Sequence, residues 1–339
     1  MSGARAMVWA GGSDFRLLDL PLPEASDLAE GESLVRLSTA TICGSDRHTV
    51  SGRRSGACPS ILGHEGVGTV LVTRNPDLRV GQRVVFSVTA SCGSCRNCRR
   101  GLSAKCENVA KTGHESLEGA WPLSGTYATH IRLLAGQAVG VVPDQVPDAV
   151  ASTAGCAVAT VMAMLERAGD LQGSRVLVNG AGMLGMVAIV AARAAGAAHV
   201  IACDISDHNL ALAALCADEV LTPDAVCPTV DVALELSGAA SGVEMCLRCL
   251  ELGGTAVLAG SVTPGPEITV DPEWLVRGWH TITGVHNYEP RHLGQAVDFL
   301  GAEGRQLPWE RLLGGPVALS ELPEQFQCPD GTLRTVVTL

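Results

Sequence analysis

The chain has 339 residues, 47% of them hydrophobic and 17% charged, and a formal net charge of −11. This excludes a disordered chain and supplies enough apolar residues for two domains with separate cores. The acidic balance, with basic residues scattered apart from the pairs Arg53-Arg54 and Arg99-Arg100, argues against nucleic acid as a main partner.

The opening MSGARAMVWAGG lacks the apolar core of a signal peptide, so a cytoplasmic protein is expected. In that reducing setting, the clustered members of its 13 cysteines read as metal ligands rather than disulfides. The first half is β-rich in texture. Short alternating runs at 6–9, 33–38, 67–72, 83–88 and 127–133 are separated by Gly, Pro and Asp turns. Within it lie Cys43-Gly44-Ser45-Asp46-Arg47-His48 and Gly63-His64-Glu65, and Cys156 follows. Cys, His and Cys far apart can build a three-ligand zinc site with an open fourth position. Taken singly, the two cysteines read equally well as small buried residues, and His64 as a hydrogen-bonded core histidine.

The most specific local signal is Cys92, Cys95, Cys98 and Cys106, spaced C-x2-C-x2-C-x7-C. Four soft sulfurs on turn-forming spacers suit a tetrahedral ion, with zinc the usual occupant. Disulfides, free thiols and an iron–sulfur cluster are the alternatives, although a bacterial cluster run usually ends Cys-Pro and Glu107 follows here.

From about Ser174 the texture changes to strand–helix alternation: strand 175–178, helix 183–195, strand 199–203, helix 209–215, then strands 230–236, 255–259 and 281–285. Such alternation predicts a parallel sheet with right-handed crossovers. The run 175–203 is apolar enough to raise a membrane span, but Asn179, Arg193 and its glycines favour strand–turn–helix, so no membrane association is expected. Gly180-Ala181-Gly182-Met183-Leu184-Gly185 sits between a strand and a helix, with Asp204 ending the next strand. In that context the glycines fit a dinucleotide turn: the backbone meets the pyrophosphate and Asp204 the ribose hydroxyls. The Asp204 charge repels a 2′-phosphate and Ile205-Ser206-Asp207 brings no arginine, so NAD is preferred to NADP. The tail from Glu289 is expected to hold one helix and a last strand at 333–339, returning to the first domain.

Together these motifs resemble the zinc-dependent medium-chain alcohol dehydrogenase family nearly end to end, including Gly155-Cys156, Glu235-Leu236-Ser237-Gly238 and Arg334-Thr335. The resemblance implies an α/β protein. A GroES-like β-rich catalytic domain covers 1–156, with a structural zinc lobe at 88–110. A Rossmann doubly wound parallel-sheet coenzyme domain covers 157–288, and the segment 289–339 returns to the catalytic domain. It implies two Zn²⁺ per chain, one held by Cys43, His64 and Cys156 and one by the four-cysteine lobe, together with NAD. It further implies Asp46 orienting His64, Glu65 beside the metal, Ser45 and His48 as a proton relay, and Arg334 at the coenzyme pyrophosphate. Gly44 departs from members that carry arginine there for the phosphates and matches the glycine of polyol-type members.

The same resemblance implies a small-molecule alcohol or carbonyl substrate and a homodimer or homotetramer. Substrate-lining positions by family place are Arg53, Arg54, Val88 and Trp121. Arginine suits a phosphonate, phosphate or carboxylate, and the runs 39–54 and 121–130 are similar to dehydrogenases grouped with phosphonate metabolism. Solvated loop charges are the plain alternative for both arginines. A polyol or simple secondary alcohol dehydrogenase, and a non-catalytic NAD-binding redox sensor, are the competing functions. Cys203, Cys216, Cys246 and Cys249 read as packing residues, and the single histidines, His114 among them, as surface or core residues.

Overall fold

The structure, a computed structural model, describes residues 3–339. The chain divides into two compact units. The first takes the chain up to Cys156, then Asn287–Gly301 and Leu313–Leu339; the second takes Ala157–His286 and Ala302–Leu312. The tail is therefore shared rather than returning whole. It also carries three α-helices, Pro290–Gly301, Trp309–Leu312 and Leu322–Gln327, where the sequence suggests one. Their brevity explains the difference, since two of them are too short to show a helical period.

The first unit is built on an eight-stranded mixed sheet. Its path runs Leu313–Ala318, Arg334–Thr338, Ser33–Thr41, Gly66–Thr73, Arg83–Ala90 and Ala110–Lys111, with His130–Leu133 beside the third of these and Gln137–Val141 beside the fifth. Every pairing is antiparallel except that of the two C-terminal strands. Alternation along the strands turns Val35, Leu37, Val70, Val84, Phe86, Ile131 and Leu133 into one core. A three-stranded sheet (Phe15–Leu20, Ala4–Trp9, Ser60–Ile61) closes a second core around Trp9, Ile42, Ile61 and Tyr127.

The second unit is a six-stranded, wholly parallel sheet. Its spatial order is Glu219–Leu221, His199–Cys203, Arg175–Asn179, Val230–Glu235, Leu250–Leu258 and Thr281–Gly284. This is the doubly wound order, with its switch point between Arg175–Asn179 and Val230–Glu235, where Asn179 and Glu235 stand opposite each other in register. Helix Met183–Ala194 is buried along almost its whole length, which explains an apolar run with no polar face. Helix Asp207–Ala213 starts two residues earlier than its pattern suggests, because the Ser206 hydroxyl accepts the Asn209 N–H as its cap. Cys203, Cys246 and Cys249 lie in the core of this unit, and Cys216 is half-buried. No single helix among the described residues is long and apolar enough to cross a membrane.

Candidate active site

Three separate segments of the first unit meet at one buried cluster. Strand Ser33–Thr41 delivers Cys43 at the N-terminus of helix Gly44–Val50; the turn before strand Gly66–Thr73 delivers His64 and Glu65; and a short 3-10 turn, Ser152–Gly155, delivers Cys156. Ligand atoms of Cys43, His64, Glu65 and Cys156 all lie within 4.8 Å of one another. Cys43, His64 and Glu65 are buried, at 6%, 2% and 0% exposure. Two cysteines, an imidazole and a carboxylate out of water form a donor set for a zinc ion, and without a cation their charges conflict.

The electrostatics show that conflict. A hydrogen bond from the Cys156 thiol holds Cys43 well below the usual thiol range, against burial and with help from Arg334 and His64. Cys156 is pushed up by Cys43 and by burial. Burial also raises Glu65, while Arg334 opposes the rise. Arg334 Nε donates to Glu65 Oε2 at 2.9 Å, Nη2 reaches Oε1 at 3.3 Å, and the same Nη2 lies 3.4 Å from Cys43 Sγ. Thr41 Oγ1 donates to Glu65 Oε2 at 2.7 Å. Arg334 turns its guanidinium into the metal cluster and is 6% exposed. The reason is strand pairing: Val336 lies opposite Thr41, which draws Arg334 in beside Glu65.

Asp46 is held by Tyr127 Oη at 2.9 Å and the Cys43 N–H at 3.0 Å. Its Oδ1 comes to 3.3 Å of His64 Nδ1, a close approach without the alignment of a hydrogen bond. Despite burial, His64 keeps Asp46 below the usual carboxylate range. Ser45 Oγ is 3.3 Å from His64 Nε2, and His48, three residues on along the same helix, is half-buried.

Of the substrate candidates, Arg53 is exposed and Arg54 half-buried. Val88 is buried; its N–H meets Tyr288 Oη, which in turn donates to the Gly155 carbonyl next to Cys156. Trp121 is buried as well. It is 4% exposed and its indole N–H donates to the Arg132 carbonyl at 2.7 Å.

The residue that sequence reasoning passed over is His114. Its ring centroid lies 5.7 Å from that of His64, tilted by 47°. The loop that carries it is tied to the turn before His64, through Leu117 N–H to the Pro59 carbonyl and a bridge between Ser60 and Ser116. Burial, then the charges of His64 and Arg54, push His114 down to about 4. Arg54 also lowers Lys111, after burial. These shifts place Arg54 within electrostatic reach of the site.

The four-cysteine lobe forms a second knot. Sulfur separations are 3.4 Å (Cys95–Cys98), 3.5 Å (Cys92–Cys106) and 3.9 Å (Cys95–Cys106). A tetrahedral ion with Zn–S bonds of about 2.3 Å spaces its sulfurs by about 3.8 Å, whereas a disulfide needs about 2.05 Å. Backbone N–H groups of Cys98 and Glu107 point at Cys95 Sγ, and those of Cys92 and Asn108 at Cys106 Sγ. N–H groups of Ser94 and Cys95 hold Cys92 down to about 5. The lobe therefore fits a closed zinc site.

In the second unit a cleft of about 390 Å³ opens at the carboxyl ends of the switch-point strands. Gly180, Gly182, Asp204, Ile205, Ser237 and Arg248 are among the residues lining it. Gly180 has φ +101°, and a side chain there meets the backbone of Leu236 and Ser237; Gly185 packs against the Gly180 carbonyl. Gly182 faces open space at the N-terminus of the helix that Met183 and Leu184 begin, which leaves room for a phosphate. Asp204 caps the turn, accepting from Ala181 N–H at 2.7 Å, Ser206 N–H at 2.8 Å and Asn209 Nδ2 at 3.2 Å. Arg248 is exposed and comes from helix Ala240–Arg248, so the search for a nearby arginine along 205–207 misses it.

Two family descriptions match the chain: an alcohol dehydrogenase GroES-like domain over residues 29–144 and a zinc-binding dehydrogenase over residues 184–302. An L-threonine 3-dehydrogenase from Edwardsiella ictaluri (strain 93-146) is 30% identical over 294 residues, covering 80% of this chain and 81% of the relative. One of the same name from Chelativorans sp. (strain BNC1) is 32% identical over 270 residues, covering 74% of each. The crystal structure of an alcohol dehydrogenase from Thermotoga maritima is similar with a TM-score of 0.89 and 26% identity, over 99% of both chains.

Proposed function

The chain belongs to the zinc-dependent medium-chain dehydrogenases, and from that premise we propose that it transfers hydride between NAD and a small alcohol bearing an anionic group, a hydroxyphosphonate in its sharpest form. That it is a dehydrogenase acting on CH–OH groups, with zinc and a nicotinamide dinucleotide as cofactors, follows from the family. The carrying observation for the site is the convergence of Cys43, His64, Glu65 and Cys156 within 4.8 Å. We assign Cys43, His64 and Cys156 as the catalytic zinc ligands and the four-cysteine lobe as the structural site. Zinc, when bound there, supplies a Lewis acid that makes a hydroxyl proton easier to lose.

This chain's residues do the rest. Ser45 takes the hydroxyl proton and His48 passes it toward solvent. Asp46 fixes His64 by charge and is itself fixed by Tyr127 and the Cys43 N–H. Arg334 neutralises Glu65 and so keeps that carboxylate from competing freely as a ligand. The glycine turn seats the pyrophosphate, and Asp204 selects NAD over NADP by repelling a 2′-phosphate. A nicotinamide dinucleotide held by that turn and Asp204 would supply the hydride acceptor or donor.

The anionic-substrate reading draws on Arg54, half-buried within electrostatic reach of His114, and on the similarity of runs 39–54 and 121–130 to phosphonate-associated dehydrogenases. A second reading, a 3-hydroxy amino acid, draws on the name shared by the relatives, and it too offers an anion to Arg54. A panel of hydroxyphosphonates, L-threonine, polyols and simple secondary alcohols, followed by NADH absorbance, tests this. Preference for an uncharged alcohol overturns the anionic reading, and no turnover at all with two zincs bound favours a redox sensor. Assembly as a dimer or tetramer belongs to the same proposal and is tested by light scattering.

A further inference from the structure

Resting on that assignment of the active site, we propose that His114 determines specificity: its Nε2 accepts a hydrogen bond from a second O–H or N–H donor on the substrate. The enzyme then selects alcohols carrying such a donor beside the reacting carbon over the matching mono-alcohol.

Three observations carry this. His114 Nδ1 lies 2.7 Å from the Thr112 carbonyl, and a carbonyl can only accept, so in the neutral ring Nδ1 carries the proton and Nε2 keeps its lone pair. That carbonyl is itself fixed, because Thr112 donates its N–H to Val88 at 2.8 Å, its hydroxyl to the Ser87 carbonyl, and accepts from Gln137 Nε2 at 2.9 Å. Among the described residues nothing partners Nε2, although the ring is only partly exposed and stands 5.7 Å from the His64 ring. His114 lies outside the four-residue ligand set, so it is not spent on the metal. A ring with one nitrogen clamped and the other unpaired beside the reacting centre is a preorganised acceptor. The rotamer cost of ordering it is already met in the free protein.

Equilibrium binding to the zinc-loaded protein saturated with NADH, where an alcohol cannot be oxidised, tests the idea by calorimetry. The probes are butane-2,3-diol, 3-aminobutan-2-ol and butan-2-ol. The wild type is expected to bind a donor-bearing probe about tenfold tighter than butan-2-ol. His114→Phe should bring that ratio to about one while leaving butan-2-ol within about twofold, and His114→Gln, with its Oε1 acceptor, should restore the preference. His114→Leu replaces the Phe variant if that does not fold. A gain confined to the diol assigns the donor as O–H, and one confined to the amino alcohol as N–H. A ratio unchanged by His114→Phe overturns the proposal, as does loss of bound zinc in that variant, which makes the ring a support for His64. None of these probes carries an anion, so failure of the anionic-substrate reading leaves the ratio readable.

Discussion

Arg334 and Glu65, 269 residues apart in sequence, form a buried two-point ion pair at 2.9 and 3.3 Å directly beside Cys43. Its components are costly to bury alone. Arg334→Met is expected to destabilise the protein by about 3–5 kcal/mol, because it strands a carboxylate among thiolates. Adding Glu65→Gln should recover a large part of that loss, since it removes the stranded charge. Urea midpoints of the two single variants and the double give the coupling; independent, additive effects contradict the pairing role.

The lobe is predicted to be structural. Cys98→Ser should lower bound zinc from two per chain to one and reduce thermal stability, with activity falling only as the protein loses structure. The reason is that a closed four-sulfur site has no open position for substrate. Metal analysis beside a melting curve checks this, and full zinc content in a stable variant counts against it.

Cys43→Ala should have the opposite signature. The lobe keeps its zinc, the fold survives, and turnover falls by at least about a thousandfold, as for removal of any group a reaction cannot proceed without. Retained turnover with one zinc moves the chemistry elsewhere.

The adjacent arginines are predicted to separate. Arg54, half-buried and with its charge acting on His114, should matter: Arg54→Ala raises KM for a hydroxyphosphonate about tenfold or more and leaves uncharged alcohols nearly unchanged. Arg53, exposed, should be close to silent. Equal effects of Arg54→Ala on charged and uncharged substrates remove the anionic contact.

Asp204→Asn keeps the shape of the turn while deleting its charge. The preference for NAD over NADP is then expected to fall about tenfold or more, by loss of repulsion toward the 2′-phosphate. Dissociation constants for both dinucleotides measure it. An unchanged ratio shifts coenzyme selection to another lining residue, such as the cationic Arg248.

Local spacing determined much of this protein. The four cysteines and the glycine turn each come from one contiguous stretch, so the chain's short-range geometry alone aims their atoms at a single ligand. Strand–helix alternation after Ser174 was equally legible, because a parallel sheet imposes its own rhythm on the sequence. Cys43, His64 and Cys156 were recognisable only as a set, through a resemblance. The tertiary structure decided the rest. Val336 paired with Thr41 places Arg334 on Glu65, and the Trp121 indole N–H is turned to the Arg132 carbonyl. The bridge between Ser60 and Ser116 lays His114 beside His64. A lone histidine carries no spacing to read; its meaning comes from the strands and loops that close around it.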